Sequence, residues 1–241
     1  MERTDSVVVD GSGMDVYVAL PDGAGPHPGV LVTFHRGGLD QFTIDRVDRL
    51  AEAGFAACAP DFYHRRKGAS ADEAVKHRLD TDVIADLKAT VAHFSGLSQV
   101  DGARLAILGH CMGGRVAFLG ASVMPETFRA CVPYYSGGMF GAWGNGPSAF
   151  ERLESLRCPV MGFFGNDDTN PSPADVDRIE VELARIGVPY VFNRYDGAGH
   201  AFQSFMRPDV YRAGPAQDSW DKTLAFLGTR LGVRARTSAR G

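Results

Sequence analysis

The segment Leu105-Ala106-Ile107-Leu108-Gly109-His110-Cys111-Met112-Gly113-Gly114 narrows the fold more than any other stretch of the chain. Residues 104–108 read as a buried strand, the glycines mark a sharp turn, and the small-residue run over 111–122 reads as a helix. A strand that passes directly into a helix at a glycine-flanked turn is the building unit of a mostly parallel sheet covered by helices.

The flanking sequence repeats that alternation. Residues 7–9 and 14–20 flank Asp10-Gly11-Ser12-Gly13 and predict a hairpin. A proline- and glycine-rich turn over 21–28 leads into a β-branched apolar strand over 29–34. Phe42, Ile44, Val47, Leu50 and Ala51 predict a helix over 42–53, stopped by Gly54. A short strand at 55–59, a polar basic loop at 64–71 and one long helix over 72–94 follow. Strands are expected at 128–134, 160–164 and 189–195, and helices at 173–186 and 219–231. The fold class is therefore α/β, a mostly parallel central sheet with helices on both faces. The glycine-rich stretch 136–156 breaks the pattern. Such long insertions usually have a task, and Phe150, Leu153 and Leu156 recur at threes, as in a short helix.

Composition limits the alternatives. With 241 residues and 44% hydrophobic content, one sizeable domain is expected over 1–231, followed by a polar basic tail over 232–241. The net charge is −4 and no basic stripe crosses the globular part, which argues against a nucleic-acid partner. No apolar stretch is long enough to span a membrane, and the N-terminus does not read as a signal peptide, so a cytoplasmic location is expected. Cys58, Cys131 and Cys158 lie beside or within apolar runs and read as reduced core residues. No Cys or His cluster has structural-zinc spacing, and no cofactor is implied.

Cys111 differs from the other cysteines. In Gly-x-Cys-x-Gly between strand and helix, the side chain projects above the carboxyl end of the sheet. Unpaired N–H groups at the helix start favour a thiolate there. The Met112 N–H points to the same place. The bland alternative is a buried thiol in a glycine-rich turn.

A cysteine nucleophile needs a base, and the base needs an orienter. Of the seven histidines, His27 is expected in a solvated turn, while His77 and His93 fall on the long helix. His110 adjoins Cys111, but adjacent side chains diverge. His200 follows the 189–195 strand in Asp196-Gly197-Ala198-Gly199-His200 and is the best base. The acid should follow the 160–164 strand; Asp168 is favoured over Asp167, with helix capping as the competing role for either. Tyr134, Tyr135, Phe140, Trp143 and Phe202 are candidates to line an apolar pocket, or else ordinary packing residues.

GHCMGG at 109–114, AEAGFAACAPDFYHR at 51–65, FFGNDDTNPSP at 163–173 and YDGAGHAF at 195–202 together resemble the dienelactone hydrolase family. The resemblance covers roughly residues 14–231. It implies the α/β-hydrolase fold, a cofactor-free esterase or lactonase, and a Cys111–His200–Asp168 triad. It also implies an oxyanion hole built from the N–H groups of Met112 and Arg36. Two departures stand out. Founding members carry a glutamate before the second oxyanion donor, where this chain has His35. They carry a substrate-binding arginine four residues after the histidine, where this chain has Ser204, with Arg207 three residues on. Arg78 is the candidate for the family's other carboxylate-binding arginine.

The leading expectation is hydrolysis of a small-molecule carboxylic ester or lactone through an acyl-enzyme, by a monomer or homodimer. A thioesterase or acyltransferase would use the same triad. A non-catalytic small-molecule or protein binding domain, and a redox-sensing cysteine, are the readings outside hydrolysis.

Overall fold

The computed structural model describes residues 1–233; residues 234–241, most of the expected basic tail, lie outside the described residues. Eight strands form one sheet in the order β1-β2-β4-β3-β5-β6-β7-β8. The hairpin strands β1 (Glu2–Val9) and β2 (Ser12–Ala19) pair antiparallel, and β2 pairs antiparallel with β4 (Ala56–Pro60). From β4 onward the sheet is parallel through β3 (His27–Thr33), β5 (Val100–His110), β6 (Phe128–Tyr134), β7 (Val160–Gly165) and β8 (Tyr190–Tyr195).

The central strands are apolar on both sides because helices cover both faces. Val30 and Val32 of β3, with Ala106 and Leu108 of β5, pack toward α1 (Gln41–Glu52) and α6 (Ala213–Leu231). The alternate residues Leu31, Leu105 and Ile107 pack toward α3 (Asp80–Ser95), α4 (Met112–Val123) and α5 (Pro173–Arg185). This period of two splits one apolar run between two cores. Each fully buried Val, Leu or Ile contributes about 1.5–3 kcal/mol from water exclusion.

Two helices differ from their sequence patterns. The expected helix over 72–94 is broken into α2 (Ala71–Lys76) and α3. Leu79, expected on its apolar face, has an extended backbone and is exposed, while Asp80 opens α3 with its carboxylate on buried Arg115. That tertiary ion pair overrides a continuous helical pattern. Helix α6 begins at Ala213 rather than near 219, with Gly214 and Pro215 inside its first turn. In the first turn the missing proline N–H costs nothing, since no carbonyl awaits it there.

Three histidines are tied into the fold. His27 opens β3 and is half-buried rather than solvated in a turn. His93 meets Asp5, joining α3 to β1 at 2.8 Å. His64 is buried between the Ser12 hydroxyl at 2.9 Å and Asp86 at 3.1 Å, pinning the β1–β2 turn to α3. In the 136–156 stretch, the recurrence at threes corresponds to a short 3-10 helix at Glu151–Ser155, whose repeat is three residues.

From β3 the chain steps outward to β4, then returns to β5 on the other side of β3. The loops after β3 and β5 therefore diverge and leave a crevice at the strand ends, the usual ligand position of open α/β sheets.

Candidate active site

Cys111 sits between the last residue of β5 and the first of α4, with φ 58° and ψ −120°. A non-glycine residue with that backbone stores about 1–3 kcal/mol of strain. The turn is held open by its neighbours. The Cys111 N–H donates to the Tyr134 carbonyl at 3.0 Å, and its carbonyl accepts from Gly114 N–H at 2.9 Å. A Cβ at Gly109 would collide with the Gly113 carbonyl and the Thr33 hydroxyl, and one at Gly113 with the Thr33 carbonyl. The Thr33 hydroxyl sits in that space, 2.7 Å from the Gly113 carbonyl. β5 and α4 thus approach β3 closely, and the thiol is left half-buried at the floor of the crevice.

His200 arrives on the loop after β8. Its Nε2 lies 2.9 Å from Cys111 Sγ, and its Nδ1 lies 2.8 Å from Asp168 Oδ2. Asp168 is buried, and its other oxygen accepts from Asn170 N–H at 2.8 Å. Asp167 is exposed. Neither aspartate caps α5; Ser172 does so, in a reciprocal capping box with Asp175. The acid and histidine loops are joined by Asp167 N–H donating to the Ala198 carbonyl at 3.0 Å.

The electrostatics favour a charged pair. Burial pushes the Cys111 thiol up. The His200 hydrogen bond and charge, with the N–H groups of Met112 and Arg36 donating to the sulfur, outweigh it and hold the thiol below 9.0. Burial works against the imidazolium, but the hydrogen bonds to Asp168 and Cys111 raise His200 to about 10. Both shifts act in the direction of a thiolate–imidazolium pair. His110, next to the thiol, turns away to Gln203 at 3.0 Å, and burial keeps it well below 6.5 and neutral.

The loop carrying Arg36 is fixed from three sides. His35 Nε2 meets Asp40 at 2.9 Å, while His35 Nδ1 accepts from Gly37 N–H at 3.2 Å. Asp40 also caps α1 through Thr43 N–H. The Tyr63 hydroxyl donates to the Arg36 carbonyl at 3.0 Å and lies 3.7 Å from Met112 Sδ, touching both residues whose N–H groups face the sulfur. Burial pushes Tyr63 up to about 12, so it stays a donor. The Arg36 guanidinium itself points out to Asp72.

A cavity of about 420 Å³ opens above the thiol. His35, Arg78, Tyr135, Trp143 and Arg207 line it together with Cys111 and His200. Phe202 does not reach it. The chain turns at Ala201, with φ 61°, and drives the fully buried ring of Phe202 behind Tyr135, centroids 5.2 Å apart. Tyr134 and Phe140 also pack elsewhere, on Phe163 and Phe150. Ser204, which stands where the family carries its arginine, lines the cavity too, and Phe42 and Asn170 line it without having been named in the sequence as pocket residues. No local pattern marks them, since each reaches the cavity through the fold. Arg207 is paired with Asp209, whereas Arg78 bonds the Val75 carbonyl and stacks on Trp143 at 4.2 Å. Among the described residues, no cluster of three His, Cys, Asp or Glu side chains is placed to hold a metal ion.

Known proteins resemble this chain in sequence and in fold. A "Putative carboxymethylenebutenolidase" of Methylorubrum extorquens is 35% identical, covering 86% of this chain and 73% of its own. One of Synechocystis sp. is 28% identical, covering 95% and 98%. The crystal structure of a "Putative Dienelactone Hydrolase" from Klebsiella pneumoniae superposes with a TM-score of 0.87 at 28% identity, covering 95% of this chain and 98% of that one. The sequence profile described as "Dienelactone hydrolase family" matches residues 14–231. The chain belongs to the dienelactone hydrolase family.

Proposed function

We propose that the protein hydrolyses small carboxylic esters or lactones through an acyl-enzyme on Cys111. The observation that carries this reading is the continuous contact from Cys111 Sγ through His200 to Asp168, at 2.9 and 2.8 Å, at the floor of the cavity. The thiolate attacks the carbonyl carbon. The oxyanion takes the two N–H groups, of Met112 and Arg36, that face the sulfur at rest; such a donor typically contributes about 3 kcal/mol to the transition state. The imidazolium of His200 gives its proton to the departing alkoxide, or to the ring oxygen of a lactone. The neutral ring then takes a proton from water, which attacks the thioester and releases the acid. Asp168 keeps the ring in one orientation through both steps.

The names of the relatives suggest a butenolide lactone, and Arg78, which lines the same cavity as Cys111, supplies a cation to meet an anionic substrate. His35 replaces the family's glutamate and is held by Asp40. The resting thiol is therefore activated by His200 and the two backbone donors. A panel of esters and lactones, assayed with wild type and Cys111→Ala, tests the reading; unchanged turnover in the variant would overturn it. The protein acts without a nucleic-acid partner, as a cytoplasmic monomer or homodimer. No helix among the described residues is long and apolar enough to cross a membrane. Light scattering and cell fractionation test state and location.

A further inference from the structure

We propose that Arg115 sets the substrate selectivity of this site by holding Trp143 as a fixed wall of the cavity; the proposal rests on the reading that chemistry occurs at Cys111. Arg115 is fully buried on α4, one helical turn after the nucleophile. Its two terminal nitrogens meet the two oxygens of Asp80 at 2.6 and 2.9 Å. The same guanidinium donates to the carbonyls of Gly138 at 3.1 Å and Gly141 at 2.9 Å. Its carbon lies 3.8 Å from the centroid of the Trp143 ring. Asp80 completes the clamp: it accepts from Trp143 N–H at 3.0 Å and donates its own N–H to the Trp143 carbonyl at 2.8 Å.

Residues 136–147 have no helix or strand of their own. Their position depends on what they are tied to, and four of the ties converge on Arg115 and Asp80. A buried ion pair gives little net stability compared with apolar residues of the same size. A guanidinium fork instead fixes geometry, because its donors lie in one plane at set angles. Here it joins α4, the start of α3 and the glycine-rich loop. The wall is thereby referenced to the same helix that carries the thiol, with the strained turn at Cys111 one turn away. The long insertion acts as a fixed side of the cavity, and the Trp143 ring that lines it decides how bulky a substrate can settle over Cys111. Arg115 is a positioning residue, since it does not line the cavity.

Arg115→Lys keeps a cation for Asp80 but cannot reproduce the fork. The double variant Arg115→Met with Asp80→Leu removes the pair without stranding a charge, and covers the case in which the single variant fails to fold. Both are assayed on vinyl acetate, on phenyl acetate and on methyl phenylacetate, which place a ring on neither side, the alcohol side or the acyl side. KM for at least one ringed ester is expected to rise about tenfold relative to vinyl acetate, the size of one lost apolar contact, with kcat moving less. In a Trp220→Phe background, the remaining Trp143 fluorescence becomes more accessible to acrylamide. The pH midpoint for alkylation of Cys111 stays where it is in wild type. Equal losses on all three esters, an unmoved KM, or unchanged quenching would overturn the proposal. Persistent turnover in Cys111→Ala would instead overturn the underlying reading.

Discussion

At Cys111 a strained backbone and a stabilised thiolate occur in one residue, and the two have a common origin. The turn that forces φ to 58° also aims the side chain at the Met112 and Arg36 N–H groups and at His200. Alkylation by iodoacetamide should therefore show a midpoint below the ordinary thiol value of 9.0; a midpoint at or above it would contradict the assignment. His200 has a folded pKa raised from 6.5 to about 10, so its charge supports the fold fully below 6.5, and that support is lost as pH rises through about 10. The alkaline limb of kcat/KM should fall in the same range, since the imidazolium is the proton donor to the leaving group. Asp168→Asn keeps the shape of the site but removes the charge that holds the imidazolium. A loss in kcat of about 10²–10⁴-fold is expected, by analogy with other triads, with KM little changed.

At the scale of elements, local signals were readable where local interactions decide the outcome. The strand–turn–helix at Cys111 is dictated by glycines that leave no room for a Cβ beside Thr33 and Gly113. Gly113→Ala should cost about 1–3 kcal/mol through overpacking, read as a lower melting temperature. The α5 start follows from Ser172, Pro173 and Asp175 in sequence, and Ser172→Ala should remove about 1 kcal/mol of capping. Legibility ended where distant residues intervene. The break between α2 and α3 depends on Asp80 meeting Arg115, thirty-five positions away, and nothing near Leu79 announces it. Phe202 was misplaced for a related reason: the positive φ of Ala201 reverses the chain just beyond His200.

At the scale of the molecule, the sheet order matters more than any one strand. Reversal of strand progression between β3 and β5 separates their following loops, and the loops after β7 and β8 bring the carboxylate and imidazole to the same end. Placing the acid after the 160–164 strand and the histidine after the 189–195 strand anticipated that meeting, because parallel strands present all their C-terminal ends on one side. The walls of the cavity were legible only in part: Tyr135 and Trp143 line it as expected, whereas Tyr134, Phe140 and Phe202 pack elsewhere, because the walls come from loops whose positions depend on the completed core. Ile107, fully buried in the middle of that core, provides a check on the scaffold: Ile107→Ala should cost about 2–5 kcal/mol by denaturant unfolding. The whole account turns on which atom carries the acyl group during turnover, and acid quenching under steady-state ester hydrolysis, followed by peptide mass analysis, reads that atom. The peptide containing Cys111 should carry the mass of the acyl group in wild type and none in Cys111→Ala; acylation of another residue, or turnover with Cys111 unmodified throughout, would contradict it.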